Sequence, residues 1–467
     1  MYFPSLLIVP QLAGICIILN YLARSLRKYL LKKETILLDL PLLGEAREEA
    51  NKIKGTAVIC GGSIAGLLSA RVCHDHFERV IIVEPEAWLC TEDARRHDSW
   101  NQKNKRTRIM QYNSTHGNLV PITDGLSRLY PRFEAECRES RISIVPGDFR
   151  LSPGGHTILC PHHEYGGSVP STILAGRRAT ETLIRRLTLD RKMYPNIEQI
   201  VGTVTAVTVD PGNPRYLDKV RIRTDGGLRE LDAALVIDCT GPTRAGEKWL
   251  RHAGFGGGKV PLNEKLTASY DPQMHYVTFG LTIPPSIATK LPEYEEKKNA
   301  PGIFAYKGDA SKTSAVCVAA KGESDFVTIT CGAWGKMKLP DNLEGAKEHL
   351  KAVRSATPIP EWIWKFFDLC QHTEIQSSMR ISKVRTPPSF WTHFELASDL
   401  PPNWIAIGDS VCIVNPIYGQ GGTKAMVGAV SLNSVLHRMH GKNEQTLSVN
   451  FSRQFFNLQA QRIAPIW

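Results

Sequence analysis

Thr56-Ala-Val-Ile-Cys-Gly-Gly-Ser-Ile-Ala-Gly66, extended through a helical pattern from Leu67 towards His74 and then Val80-Ile-Ile-Val-Glu84, is the stretch that decides the fold. Thr56–Cys60 is a short apolar run with β-branched residues, the pattern of a strand buried in a parallel sheet. Gly61, Gly62 and Gly66 bracket Ser63, Ile64 and Ala65, so a glycine turn opens the helix. Val80–Val83 is a second strand, and Glu84 stands at its carboxyl end, about 20 residues beyond the turn as a dinucleotide fingerprint requires. Gly61 permits the tight turn and Gly66 lets helix and strand pack closely. The helix's unpaired N–H groups then face a pyrophosphate, and the acid accepts from a ribose hydroxyl. One position departs from G-x-G-x-x-G: Ser63 replaces the middle glycine, where its Cβ narrows the approach but its hydroxyl can donate to phosphate. The motif implies a dinucleotide without choosing between FAD and NAD.

A chain of 467 residues is long enough for two or three domains with sizeable cores. The net charge of +11 is unevenly spread. One basic cluster holds Arg24, Arg27, Lys28, Lys32 and Lys33; another holds Arg95, Arg96, Lys103, Lys105, Arg106 and Arg108. Neither is interleaved with aromatic residues, which argues against a nucleic-acid partner and for a membrane flank and a polyanion-facing loop. The 11 cysteines contain no C-x-x-C and sit in apolar runs, as at Cys60, Cys239 and Cys331, so they read as small buried hydrophobes in a reducing compartment. Cys160-Pro-His-His163 lacks a second ligand pair and reads as a turn, so no metal is expected.

Tyr2–Ala23 carries no charge and is mostly apolar. As a helix it would rise about 33 Å, enough for a hydrocarbon core of about 30 Å. The basic cluster follows the apolar run, the reverse of a secretory signal. The expectation is therefore a single-pass membrane anchor, with the remaining chain in the cytosol and the endoplasmic reticulum as the membrane. The alternative is an amphipathic segment lying on a bilayer.

Beyond the βαβ unit, Arg95–His116 reads as a basic loop, and Gly125–Pro131 and Phe133–Arg141 as helices. His156–Pro170 reads as a hairpin or irregular excursion. Arg177 and Arg178 stand at a helix start, where the macrodipole disfavours cations unless an anion is near; a solvated pair is the other reading. Val201–Val209 and Val220–Arg223 alternate around Pro211–Pro214, a hairpin. Leu235-Val-Ile-Asp-Cys-Thr-Gly241 is another buried strand with a polar turn. From Gly246 the texture changes to four strand-like runs, His275–Thr282, Gly302–Lys307, Thr313–Ala320 and Phe326–Trp334, followed by helices over Glu344–Ala356 and Glu361–Cys370. Trp404–Asp409 is a strand with an acid at its tip. Asn415-Pro-Ile-Tyr-Gly-Gln-Gly-Gly422 is a second glycine-rich turn before a helix from Thr423 to about His437.

Together GGSIAG, RIMQYNSTH (Arg108–His116), GRRATE, VIDCTGPTRAG and GDSVCIVNPIYGQGG, in that order, resemble the FAD-dependent monooxygenases of the single-component hydroxylase and epoxidase type, nearest the polyether-epoxidase-like branch. The resemblance covers about Thr56 to His437. It implies an α/β fold: a Rossmann-like FAD-binding domain in two parts (34–245 and 404–467, the latter with a C-terminal helix) and an inserted mainly antiparallel substrate domain (246–403), with the N-terminal membrane helix and basic flank expected above (1–33) ahead of them. It also implies that Glu84 holds the adenosine ribose, Arg177 the phosphates or ribityl chain, and Asp409 the ribityl hydroxyls or pyrophosphate. Val204 would offer its backbone to adenine, Gln111 would lie near the flavin, and Gly419, Gly421 and Gly422 would pass beneath it. Arg108, Gly241 and Pro416 belong to the matching stretches, and with Gly61, Gly62, Ser63 and Gly66 complete the expected cofactor set. Members of the family often continue beyond the point corresponding to Trp467, so a fragment or a compact form is implied.

The implied activity inserts one oxygen atom of O₂ into a hydrophobic substrate, an alkene or activated ring, through a flavin C4a-hydroperoxide, in secondary metabolism. NADPH or NADH would be the reductant, docking transiently because no second glycine-rich βαβ unit is present, or acting through a separate reductase. No catalytic triad or carboxylate pair is visible. Three rivals remain: a flavin-dependent halogenase, whose W-x-W-x-I-P signature Trp362-Ile-Trp364 resembles until Lys365-Phe-Phe367 departs from it; an alkene reductase; and a non-catalytic, membrane-tethered flavin-binding protein. Aromatic packing on a short helix is the plainer account of the tryptophans.

Overall fold

The computed structural model describes residues 5–149, 151–262, 264–290, 302–440 and 445–467. At its centre is a five-stranded sheet in the order Trp404–Ala406, Leu235–Asp238, Ile53–Cys60, Phe77–Glu84, Ile197–Val201. Every neighbouring pair is parallel. Ala57–Cys60, Val80–Val83 and Leu235–Ile237 are at most 1% exposed, which is why these strands read as unbroken apolar runs rather than as alternations. In register, Cys60 lies opposite both Val83 and Asp238, and Asp238 opposite Ala406. The glycine turn, Glu84, the Asp238–Gly241 turn and the Gly408–Ser410 tip therefore leave the sheet at one carboxyl edge.

The helix after the turn, Ile64–His76, packs against both Arg177–Thr188 and Gly421–His440. The helix Val120–Leu129 crosses Gly421–His440 so closely that a Cβ on Gly125 would lie 2.4 Å from the Met426 sulfur. The hairpin expected around Pro211 is present: Thr203–Val209, Leu217–Thr224 and Gly227–Asp232 form an antiparallel meander.

The middle of the chain builds a six-stranded sheet in the order Arg380–Arg385, Met274–Thr282, Phe326–Trp334, Ala315–Lys321, Gly302–Lys307, Leu151–Pro153. It is antiparallel except for the last pair. Its side chains alternate between faces. Val277, Phe279, Ile329 and Cys331 pack against the helices Leu343–Ala352 and Glu361–Cys370. Met274, Tyr276, Val316 and Val384 form a second apolar cluster with Trp334 and Ile417, the last from the second glycine-rich turn. The first of those helices stops earlier than the sequence suggests, because the chain is drawn off by the Asp309 N–H donating to the Arg354 carbonyl (2.8 Å). A small sheet not foreseen from sequence pairs Thr267–Tyr270, Ser389–Thr392 and Cys412–Ile413, fastening the middle section to the last strand of the parallel sheet. Its strands are too short to show periodicity.

The N-terminal expectation is overturned. Residues 2–4 of the uncharged run lie outside the described residues, and Ser5–Glu34 is one continuous helix. Among the described residues no helix is long and apolar enough to cross a membrane, so the single-pass anchor and the membrane localisation derived from it fall. The same helix then runs on through Arg24, Arg27, Lys28, Lys32 and Lys33, and it packs against the C-terminal helix Phe451–Ile463.

Candidate functional site at two glycine corners

The first corner is set by steric exclusion. Gly61 has φ +119°, and a Cβ there would lie 2.4 Å from the Cys239 carbonyl oxygen. A Cβ on Gly66 would meet the Gly61 carbonyl oxygen at 1.8 Å. Only glycine permits this turn and this closeness. Glu84 is buried beside it; its carboxylate accepts from the Gly62 N–H (2.8 Å) and the Glu86 N–H (2.9 Å). Next to Glu84, from the neighbouring strand, comes Gln199. Its Nε2 would be 3.2 Å from a Cβ on Gly62, and both amide atoms are buried with no hydrogen-bond partner among the described residues. Val204 is the second residue of the meander's first strand, just past Gly202, whose N–H donates to the Glu84 carbonyl (3.0 Å).

Ser63 is the N-cap residue of its helix but makes no capping bond. Its hydroxyl donates to Glu181 (3.2 Å) and accepts from Arg177 (2.9 Å). Glu181 is the hub. It pairs with Arg106, with Arg177 (3.2 Å) and with Arg185 (3.0 Å), and Arg185 also donates to the Gly62 carbonyl. Burial alone would raise the Glu181 pKa; the fields of Arg106, Arg185 and Arg177 overturn that and hold its carboxyl far below the usual carboxylate range. The anion that the arginine-started helix calls for is thus the chain's own. Glu86 holds the basic loop in turn, pairing with Arg106 and accepting from the Thr107 and Arg108 N–H groups (3.1 and 3.3 Å). The Arg108 side chain is exposed.

The second corner is knitted to the first. Asp238 is buried, and its carboxylate accepts from the Thr240 N–H (2.8 Å), the Ser410 hydroxyl (3.1 Å) and the Gly246 N–H (2.9 Å). Burial nevertheless pushes its pKa up, with those hydrogen bonds opposing. Ser410 also accepts from the Gly241 N–H (2.9 Å). Gly408 has φ +77°, and a Cβ there would be 2.8 Å from that of Ala65, so the strand tip rests on the first turn of the glycine-corner helix. Asp409 follows, half-exposed, paired at 2.6 Å with the buried Lys424. Pro416 opens a short turn capped by Asn415, which accepts from the Ile417 N–H (3.1 Å). Gly419 has φ +64° and its Cβ would be 3.7 Å from the Gly117 carbonyl oxygen; a Cβ on Gly422 would press on Ile122 at 2.9 Å, while one on Gly421 would meet nothing within 4 Å.

The loop 111–118 bridges this corner to the six-stranded sheet. Ser114 hydrogen-bonds the Tyr276 hydroxyl at 3.0 Å, and Gln111 stands near the same oxygen. Thr115 bonds Thr328 (2.8 Å) and Thr330 (2.6 Å). His116 bonds the Ser114 carbonyl through Nδ1 (2.9 Å), and burial, aided by the Arg177 charge, pushes its pKa down to about 4. The imidazole is neutral at pH 7.

The structure thus brings Gly61, Gly62, Ser63, Gly66, Glu84 and Arg177 together at one corner, and Gly241, Asp409, Pro416, Gly419, Gly421, Gly422 and Gln111 along the other. Sequence reasoning missed Glu86, Arg106, Glu181, Arg185, Gln199 and Lys424. The i, i+4 spacing of Arg177, Glu181 and Arg185 was a readable signal. So was Lys424, a lone charge in an otherwise uncharged run from Gly421 to Leu436. Trp362 lies on the helix packed against the opposite face of the sheet, with Phe304 at a ring separation of 6.4 Å, which agrees with aromatic packing. Among the described residues, His97, Glu136 and Glu139 group three metal-type ligand atoms, but Glu136 already accepts from Arg186 (2.6 Å) and pairs with Arg132 (2.9 Å).

No protein-family profile matches the chain, and no curated protein does. Solved structures do. The flavin-dependent brominase Bmp2 superposes with a TM-score of 0.54 at 12% identity, covering 87% of this chain and 83% of that one. PqsL of Pseudomonas aeruginosa, described as a probable FAD-dependent monooxygenase, gives 0.54 at 15% identity over 88% and 92%. The p-nitrophenol 4-monooxygenase PnpA of Pseudomonas putida DLL-E4 gives 0.51 at 15% identity over 89% and 86%. At such identities the likeness is one of fold: this chain has the mixed α/β, multi-sheet fold found in FAD-dependent monooxygenases and flavin-dependent halogenases.

Proposed function

We propose that the chain binds FAD across the two glycine corners and is a flavin-dependent monooxygenase acting on a hydrophobic substrate. The observation that carries the reading is the contact of Gly408 with Ala65, which makes one continuous edge of two motifs far apart in the sequence. The residues present fit the cofactor. The unpaired amide of Gln199 stands beside Glu84, where a ribose or adenine offers both donors and acceptors. Arg177 has guanidinium N–H groups beyond those it gives to Glu181 and Ser63 that would serve phosphate, and the N-terminus of Gly421–His440 favours negative charge. The neighbours of the same fold described as FAD-dependent support that choice of dinucleotide.

Bound there and reduced by NADPH or NADH, FAD supplies the activation of O₂. The chain's own residues hold and orient. Tyr276, bonded to Ser114 at 3.0 Å, lies in the buried apolar cluster of Met274, Val316 and Val384, whose partly buried edge is formed by Trp334 and Ile417. That edge is where an alkene or aromatic ring would seat. His116, neutral, adds no charge there.

The test is the purified full chain given FAD, NADPH and a panel of lipophilic alkenes and phenols under ¹⁸O₂. One ¹⁸O atom in the product supports the monooxygenase. A product that requires bromide or chloride assigns it to the halogenases, as the likeness to Bmp2 allows, and a product gaining only hydrogen assigns it to the reductases. A chain that takes up no flavin refutes the reading entirely.

A further inference from the structure

Lys424 is an ammonium where apolar packing would be expected. It lies in the first turn of Gly421–His440 at 2% exposure, between Thr423 at 6% and Ala425 at 5%. Removing an ammonium from water is unfavourable unless it is paired and hydrogen-bonded. Lys424 is both: Nζ donates to Asp409 Oδ1 at 2.6 Å and to the Cys412 carbonyl oxygen. The side chain therefore ties three pieces together: the tip of the last parallel strand, the small sheet that follows it, and the helix beyond the glycine-rich turn. Its partner is placed differently. Half of the Asp409 side chain is exposed, so the carboxylate is held from behind and presented forward. The pair carries no net formal charge, and the N-terminus of the helix behind it is the positive end of the dipole.

We infer that Lys424 is a positioning residue for the cofactor. It neutralises Asp409, so that the carboxylate can accept from a cofactor hydroxyl without setting an unbalanced negative charge against an anionic dinucleotide. It also locks the strand tip to the glycine-rich turn. The inference rests on the proposal that FAD binds at these corners, and it assigns to this chain a charge that the glycine motifs do not contain.

The test is a double-mutant cycle on the full chain stripped of flavin, with the FAD dissociation constant read from flavin fluorescence. Wild type is measured first; no FAD uptake there refutes the flavin reading and this inference with it. Given wild-type binding, Lys424→Met should weaken FAD at least 30-fold at low salt. The deficit should shrink as ionic strength rises, as interactions between charges do. Lys424→Met/Asp409→Asn should bind within threefold of Asp409→Asn alone, because the exposed carboxylate no longer needs neutralising. Unchanged affinity in Lys424→Met overturns the inference while leaving FAD binding intact. So does a deficit equal in the presence and absence of the Asp409 carboxylate, or one indifferent to salt. If Lys424→Met fails to fold, the double variant decides: a folded protein with the affinity of Asp409→Asn supports the role, and a second failure to fold makes the lysine structural and overturns it.

Discussion

Glu181→Gln is the most informative single substitution at the first corner. The carboxylate is 2% exposed and lies 3.0 Å from Arg185 and 3.2 Å from Arg177, with Arg106 also paired to it. At an effective dielectric near 20, one such pair at about 3 Å is worth roughly 5 kcal/mol of attraction. Desolvation cancels much of that, and removing one partner of a buried pair typically costs about 3–5 kcal/mol. Glutamine preserves size and can still accept from one arginine, but it leaves Arg185 and Arg106, 2% and 6% exposed, without their counter-charge. The expected loss is therefore about 3–5 kcal/mol at pH 7. Because Arg185 also holds the Gly62 carbonyl and Glu181 holds Ser63, FAD affinity should fall alongside stability.

The assay is urea unfolding followed by tryptophan fluorescence, wild type against variant, repeated across pH. The folded pKa of Glu181 lies below its unfolded value of 4.5, so its contribution is fully present above about pH 4.5 and is lost as pH falls from there towards the folded pKa. The gap between the two proteins should hold from pH 8 to about 5 and close in acid, where the protonated glutamic acid resembles glutamine. A difference below about 1 kcal/mol at pH 7, or a gap that does not close in acid, would refute the claim that three arginines are organised by this one carboxylate.

Gln199→Leu should leave stability unchanged or raised, since it removes two buried polar atoms without partners, while weakening FAD by about tenfold, the worth of one or two hydrogen bonds; equal affinity in titration calorimetry would remove Gln199 from the site. Gly66→Ala must move backbone, because its Cβ would meet the Gly61 carbonyl oxygen at 1.8 Å. It should cost at least about 1–3 kcal/mol and abolish stoichiometric yellow colour after purification; a fully loaded variant would contradict the close packing. His116 has its folded pKa lowered from 6.5 to about 4, so it favours the folded state above pH 6.5 and that contribution is lost as pH falls towards 4. Its ring resonances in NMR should stay those of a neutral imidazole between pH 5 and 8, and a midpoint near 6.5 would show the ring to be solvated.

The βαβ unit and the second glycine turn were legible because their information is local. A strand buried on both faces has to be apolar throughout, a turn whose Cβ would strike a neighbouring carbonyl has to be glycine, and a left-handed turn favours it, so Thr56–Cys60, Gly61 and Gly66, and Gly419 with its φ of +64° declare themselves without knowledge of their partners. Strand-like runs separated by turn residues likewise disclosed four strands of the antiparallel sheet, which has one face on helices and another beside Ile417 of the second glycine-rich turn. The N-terminal run misled because the absence of charge is not by itself a span: among the described residues no helix is long and apolar enough to cross a membrane. What only the tertiary structure decided are pairings between residues far apart in the chain: Glu181 with Arg106 and Ser63, Gln199 beside Glu84, Gly408 on Ala65. Asp409 and Lys424 are nearer neighbours in sequence, yet their pairing too depends on how the strand tip folds back onto the helix. A charge or amide in isolation is compatible with solvent, with a partner or with a ligand, and its meaning is set by burial and by which oppositely charged group the folded chain carries to it.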